Sequence, residues 1–180
     1  MYHRSDQFWS GLFNTKERRM EMTKKEEMRR NIAGAVLERA HNLWRSGIKY
    51  AVSWGNLLKL CWLITRGGVN EEICYVKGVS FSNEDGTQRQ RLIQGLTRAS
   101  KGSYWIILTR EKDNSFDENA VRVEAVKEGG VKATIGYLPR ELAVKASPSM
   151  DSGKEALVTG FEFSNPRCGL IGMKISFVCK

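Results

Sequence analysis

An α+β architecture is what this sequence of 180 residues predicts: an N-terminal helical hairpin, then a small six-stranded barrel of OB-like or SH3-like type carrying two short helices. Three observations carry that expectation. The first part of the chain is built from strong helix formers with one apolar stripe. From Ile73 onward, short β-branched and aromatic runs alternate with turn signals. Between the two stands Arg66-Gly67-Gly68-Val69-Asn70, where paired glycines end a helical stretch cheaply. The expected organisation is therefore a basic helical region over 1–70 and a β-rich domain over 71–180.

The helical region begins with a segment over about 16–45 that contains no proline. Met28, Ile32, Val36, Ala40, Leu43 and Trp44 recur at spacings of three and four, which places them on one face. Gly47 is expected to stop this helix, and Ser53 to cap a second one over 54–65. That second helix is apolar nearly all round, with Trp54, Leu57, Leu58, Leu60, Cys61, Trp62, Leu63 and Ile64, so burial on more than one face is expected. Such a hairpin must dock on the second domain, on another copy or on a partner. Phe8, Trp9, Leu12 and Phe13 have helical spacing and are expected to cover the protein's own core.

In the β-rich part, strands are expected over 74–81, 104–110, 120–126, 133–138, 155–163 and 170–178. Gly129-Gly130 suits a hairpin connection between the third and fourth. Helices are expected over 88–98, after the turn Glu84-Asp85-Gly86-Thr87, and over 140–146, after Pro139.

Composition narrows the function classes. With 41% apolar and 27% charged residues the chain can bury a core and is not expected to be disordered. No run approaches the roughly 20 apolar residues of a membrane span, and the N-terminus lacks the apolar centre of a secretory signal, so a cytoplasmic protein without membrane contact is expected. Cys61, Cys74, Cys168 and Cys179 have no C-x-x-C spacing, and His3 and His41 are remote from them in sequence. Buried thiols, with no metal and no cofactor, are the expectation. There is no phosphate loop, no nucleophile elbow and no H-E-x-x-H, which speaks against an enzyme.

The formal charge of +9 makes polyanions the first partner class. Residues 1–70 carry 13 Lys and Arg against 6 Asp and Glu, a net of +7, whereas 71–180 carry 16 against 14, a net of +2. Arg18, Arg19, Lys24, Lys25, Arg29 and Arg30 form the densest cluster. They read equally well as contacts to a phosphate backbone and as a solvated helix face.

Three stretches, in order, resemble the HIRAN domain over about 73–180. Val76-Lys77-Gly78-Val79-Ser80-Phe81-Ser82-Asn83-Glu84-Asp85-Gly86-Thr87-Gln88-Arg89-Gln90 is similar to the opening strand and turn of bacterial members. Arg110-Glu111-Lys112-Asp113-Asn114-Ser115-Phe116-Asp117-Glu118-Asn119-Ala120-Val121-Arg122-Val123 resembles the family's R-E-P-x-N-x-Y-D-x-N-A-I-x-V. Ile135-Gly136-Tyr137-Leu138-Pro139-Arg140-Glu141-Leu142-Ala143 resembles its G-Y-L-P-x-E-L-A. The best-understood members hold the 3′ end of single-stranded DNA, often fused to helicase, nuclease or ubiquitin-ligase modules.

The resemblance implies a modified OB-like barrel with a pocket for terminal nucleotides, formed by Phe81, Asn114, Phe116, Asp117, Tyr137 and Arg140. Phe116 and Tyr137 offer π-faces to bases, Asp117 can accept a hydrogen bond from a free 3′-hydroxyl, Asn114 can bond base or sugar edges, and Arg140 can hold a phosphate. The chain departs from the family where Lys112 and Ser115 replace usual prolines and Phe116 replaces the common tyrosine. An Arg-Tyr-Tyr run of the fork-remodelling members is here Ser80-Phe81-Ser82. Arg89, Arg91 and Lys112 are candidates for replacement charge along the backbone, with Lys24, Lys25, Arg29 and Arg30 beyond them. The structural alternatives are that Phe81 and Phe116 plug the barrel, that Tyr137 sits on its rim, and that Asp117 and Asn119 are turn formers. Two function classes follow: a module for single-stranded DNA or DNA 3′ ends, and an interaction adaptor that uses residues 1–70 for a protein partner or for self-association.

Overall fold

The computed structural model describes residues 5–45, 53–100, 102–127, 129–164 and 169–179, with side chains in the first helix from Met20 onward. The expectations for His3, Phe8, Trp9, Leu12, Phe13, Arg18, Arg19, Gly47 and Cys168 lie outside what is described. In chain order the elements are α1 (Ser5–Arg45), α2 (Trp54–Thr65), β1 (Glu72–Tyr75), α3 (Arg89–Arg98), β2 (Tyr104–Arg110), β3 (Val121–Lys127), β4 (Lys132–Tyr137), α4 (Arg140–Asp151), β5 (Ala156–Phe163) and β6 (Met173–Cys179).

Helices α1 and α2 form the expected hairpin. Val36, Ala40 and Leu43 bury against Leu57 and Cys61, with Ile32, Trp44, Trp54 and Leu58 around them. Trp44 meets Trp54 edge-on at 5.2 Å between ring centroids, a favoured aromatic geometry. The Ser53 hydroxyl accepts the Asn56 amide at 3.4 Å and caps α2. Met28, expected in the buried stripe, is exposed instead, because α2 has only 12 residues and runs out at Thr65. The N-terminal length of α1 thus continues past the end of its partner.

The second face of α2 docks on the chain itself. Leu60 is fully buried against Leu157 of β5 and Val178 of β6, with Ile64 and Val69 alongside. A polar clasp reinforces the join: Arg39 donates to Glu71 at 2.5 Å, and the Thr159 hydroxyl donates to the other oxygen of that carboxylate. Burial pushes the Glu71 carboxyl up. The hydrogen bonds from Arg39 and Thr159, with the charge of Arg39, outweigh it and hold the group below its ordinary value. Trp62 and Leu63, on the third face, remain exposed, so α2 is not covered all round.

The strands form two three-stranded antiparallel sheets, ordered β1-β6-β5 and β2-β3-β4. They do not close into the single barrel expected. The first expected strand, 74–81, stops at Tyr75, and Gly78 (φ +71°) turns the chain away, so β1 is too short to run alongside β4. What remains between them is one antiparallel bridge, Lys77 to Tyr137. Alternate residues of each sheet face a shared core: Tyr104, Ile106 and Leu108 from β2, Val121, Val123 and Ala125 from β3, and Met173, Ile175 and Phe177 from β6. Gly129 and Gly130, both at positive φ, make the β3–β4 hairpin turn. Helix α4 runs to Asp151, past the expected end at 146, and carries Pro148 inside it, which removes one backbone donor without ending the helix. No described helix is long and apolar enough to cross a membrane.

Candidate nucleic-acid interface

Two loops flank Tyr137, which bridges to Lys77 and so joins the two sheets. The first, between β2 and β3, is stitched from inside. Arg110 donates to the carbonyls of Glu111 (2.9 Å), Ala120 (3.1 Å) and Glu118 (2.5 Å), and pairs with Asp151 of α4 at 3.3 Å. Asn114 Oδ1 accepts from the amides of Phe116 and Asp117, at 2.9 Å each, while its Nδ2 donates to Glu111 at 3.0 Å. Asp117 Oδ1 accepts the Asn119 amide at 2.9 Å, and Asn119 Oδ1 accepts from the Ser147 hydroxyl at 2.7 Å. These bonds supply the stiffness that absent prolines at Lys112 and Ser115 do not. They also turn Phe116 outward: its ring is 95% exposed. Leaving such a ring in water forgoes roughly 1.5–3 kcal/mol of burial. Phe116 is therefore no core plug.

The second loop follows β1. Gly136 decides where it can lie, since a Cβ there would stand 2.3 Å from the Lys77 carbonyl and 2.6 Å from the Val76 side chain. That close approach lets Tyr137 and Lys77 exchange both backbone hydrogen bonds, at 2.9 and 2.8 Å. Beyond Gly78, Phe81 sits on the turn with 67% of its surface exposed, and it too plugs nothing. The turn is then closed by Asp85, whose carboxylate accepts the Thr87 amide at 2.9 Å, and by Asn83, which donates to the Thr134 carbonyl of β4 at 3.0 Å.

Arg89 departs from expectation. It is 7% exposed and donates to Asn83 (2.7 Å) and to the Gly78 carbonyl (3.0 Å), and its guanidinium lies over the Tyr137 ring at 5.2 Å. It braces the seam from within and does not face a DNA backbone. Asn114 is likewise a loop organiser: its amide oxygen is spent twice on the loop, which leaves only one amide hydrogen for a ligand. Arg91 and Arg140 are exposed, and Lys112 is exposed but drawn to Asp151 at 3.3 Å. Lys24, Lys25, Arg29 and Arg30 are all exposed on α1, which packs on α2 rather than on either loop.

Two residues not singled out by the sequence link the halves of the site. Glu111 holds Asn114 on one side and lies 3.7 Å from Arg122 on the other. Arg122 stands on β3 directly across from Tyr137. Burial pushes the Tyr137 phenol up, the facing Glu111 carboxylate pushes it the same way, and Arg89 and Arg122 oppose the shift. The signal available in the sequence was a cation between two core valines, Val121-Arg122-Val123, which strand alternation turns outward. Among the described residues no cluster of three or more His, Cys, Asp or Glu is arranged to hold a metal, Asp113, Asp117 and Glu118 included.

The HIRAN domain, as a family model, matches residues 74–176. The chain belongs to the HIRAN-domain family. Neither a curated protein nor a solved structure matches it. The HIRAN domain thus takes in both loops, the seam and both sheets, and the matched residues begin after the helical hairpin. Membership of this family points to nucleic-acid binding.

Proposed function

We propose that the HIRAN domain of this protein is a non-catalytic module for single-stranded DNA that receives a free 3′-hydroxyl end. The observation that carries this reading is Phe116, a ring held 95% exposed on a loop whose turns at Asn114 and Asp117 are hydrogen-bonded. An exposed ring on a stiff support is a stacking platform with little ordering entropy left to lose, and each base–aromatic contact is worth about 1–3 kcal/mol. Tyr137 and Phe81 add two further rings at the seam. Asp117, next to Phe116, keeps one carboxylate oxygen for a terminal hydroxyl. Arg140 follows Tyr137 by three residues and faces solvent, where a phosphate can reach it. The α1 cations serve as a loose grip on the backbone beyond the end.

A fluorescence-anisotropy titration tests this with the same oligonucleotide ending in a 3′-hydroxyl or a 3′-phosphate, with a 5′ overhang and a blunt duplex as comparators. The phosphate dianion faces Asp117 and is expected to bind at least about tenfold more weakly, since like charges some 4 Å apart near a protein surface repel by a few kcal/mol. Equal affinity for the two ends overturns the end-binding reading. The adaptor alternative has less surface than the sequence offers it, because the Leu60 face of α2 is covered by β5 and β6.

A further inference from the structure

We propose that Arg122 is a phosphate-binding residue of this site, presented by Glu111 and taking the phosphodiester next to the nucleotide that stacks on Tyr137. The inference rests on the end-binding reading above and assigns a residue which that reading leaves out.

Three cations near the seam are already engaged. Arg110 is consumed by the loop carbonyls, Arg89 by Asn83, Gly78 and the Tyr137 ring, and Lys112 by Asp151. Arg122 differs from all three. Its side chain is 34% exposed, its Nε is buried with no hydrogen-bond partner, and its Nη1 lies 3.7 Å from Glu111 Oε1, an ion pair too long to be a hydrogen bond. Among the described residues this guanidinium makes no hydrogen bond at all. A guanidinium whose buried Nε is left unbonded is a costly arrangement for a fold to keep, and its partly exposed forked end suits an oxyanion with two oxygens to offer.

Placement supplies the rest. Arg122 and Tyr137 are directly opposed on neighbouring strands, so their side chains leave the same face of the sheet roughly 5 Å apart. A base lying on the exposed side of Tyr137 brings its own phosphodiester to that neighbour. Glu111 holds the guanidinium at ion-pair distance without satisfying it, and its charge disfavours a free anion at the site. A diester carried in by a stacked base overcomes that bias; a lone phosphate lacks the stacking to do so.

The test is the salt dependence of binding to a 3′-hydroxyl oligodeoxynucleotide, measured from about 50 to 300 mM salt for the full chain and for Arg122→Gln and Arg122→Lys. A lost phosphate contact removes about 0.7 from the slope of log K against log salt on a single strand. Arg122→Gln is expected to show that loss with about tenfold weaker binding at the lowest salt, and Arg122→Lys to keep the slope. Weaker binding with an unchanged slope makes Arg122 a structural residue and overturns the inference, as does unchanged binding. If Arg122→Gln does not fold, the wild-type chain and Arg122→Lys are titrated with an oligonucleotide whose last linkage is an uncharged methylphosphonate; no loss of affinity there overturns it equally. Failure of the wild-type chain to bind any 3′-hydroxyl strand removes the underlying reading instead, which an unaltered Arg122→Gln slope does not.

Discussion

The loop-and-seam site and the free length of α1 are opposites. In the HIRAN domain several cations are tied to neighbours: Arg110 to three carbonyls, Arg89 to Asn83 and Gly78, Lys174 to Glu162 at 3.0 Å. Net charge over 71–180 is only +2, yet here the chain holds aromatic rings out in water on a hydrogen-bonded frame. Along α1, Lys24, Lys25, Arg29 and Arg30 are exposed without a frame, in the region that carries +7. Charge without geometry attracts any polyanion; geometry without charge chooses among them. Breaking each region separately shows whether the two contributions are in fact divided this way.

The largest effect is expected where the regions join. Leu60→Ala removes a fully buried side chain from the contact with Leu157 and Val178 and leaves a cavity, at a cost of about 2–5 kcal/mol. In a chain of this length that lowers the midpoint of thermal unfolding by roughly 5–15 °C. Because Leu60 touches neither loop, the folded fraction at low temperature keeps its affinity for a 3′-hydroxyl strand. A loss of affinity alongside the loss of stability would mean that hairpin and site are one unit, and the comparison would fail.

Next in size is the platform itself. Phe116→Ala is expected to weaken single-strand binding by about 1–3 kcal/mol, or some five- to 150-fold. The ring is 95% exposed and contributes nothing to the core, so the unfolding midpoint should move by less than about 0.5 kcal/mol in stability. A calorimetric melt beside the titration separates the two. A destabilised variant with unchanged binding would return Phe116 to a packing role.

Which of these features the sequence reveals depends on how local their causes are. Strand β2 runs over the residues expected, and α2 starts at its Ser53 cap as expected, because pattern and capping act over a few residues. The loop 111–119 is legible for the same reason: Asn114 and Asp117 bond amides two or three positions ahead. The barrel is misread because its closure depends on whether 74–81 stays extended, and the chain leaves its strand after Tyr75, bridges β4 once at Lys77 and turns off at Gly78. Arg89 is misread because its burial is assembled from Gly78, Asn83 and Tyr137, and Tyr137 arrives from another sheet by way of Gly136. Glu111 and Arg122 escape notice because they act between segments. Sequence periodicity gives a side chain's direction and says nothing of what it meets.

The smallest effect near physiological salt is the most informative about α1. Replacing Lys24, Lys25, Arg29 and Arg30 together by Gln leaves a helix of similar propensity, and the four side chains are solvated, so stability should hold. Exposed charges are screened beyond about 8 Å at 0.15 M ionic strength, and the affinity lost there should stay within about 1 kcal/mol. At low salt the same variant should separate from the wild type, because each cation that meets a phosphate adds about 0.7 to the salt slope on a single strand and about 0.9 on a duplex. A slope that falls only with a substrate carrying duplex beside its 3′ end assigns α1 to the double-stranded side. A slope that falls on single strands alone places it along the displaced backbone, and an unchanged slope on both leaves the four cations as a solvated face, with binding confined to the HIRAN domain.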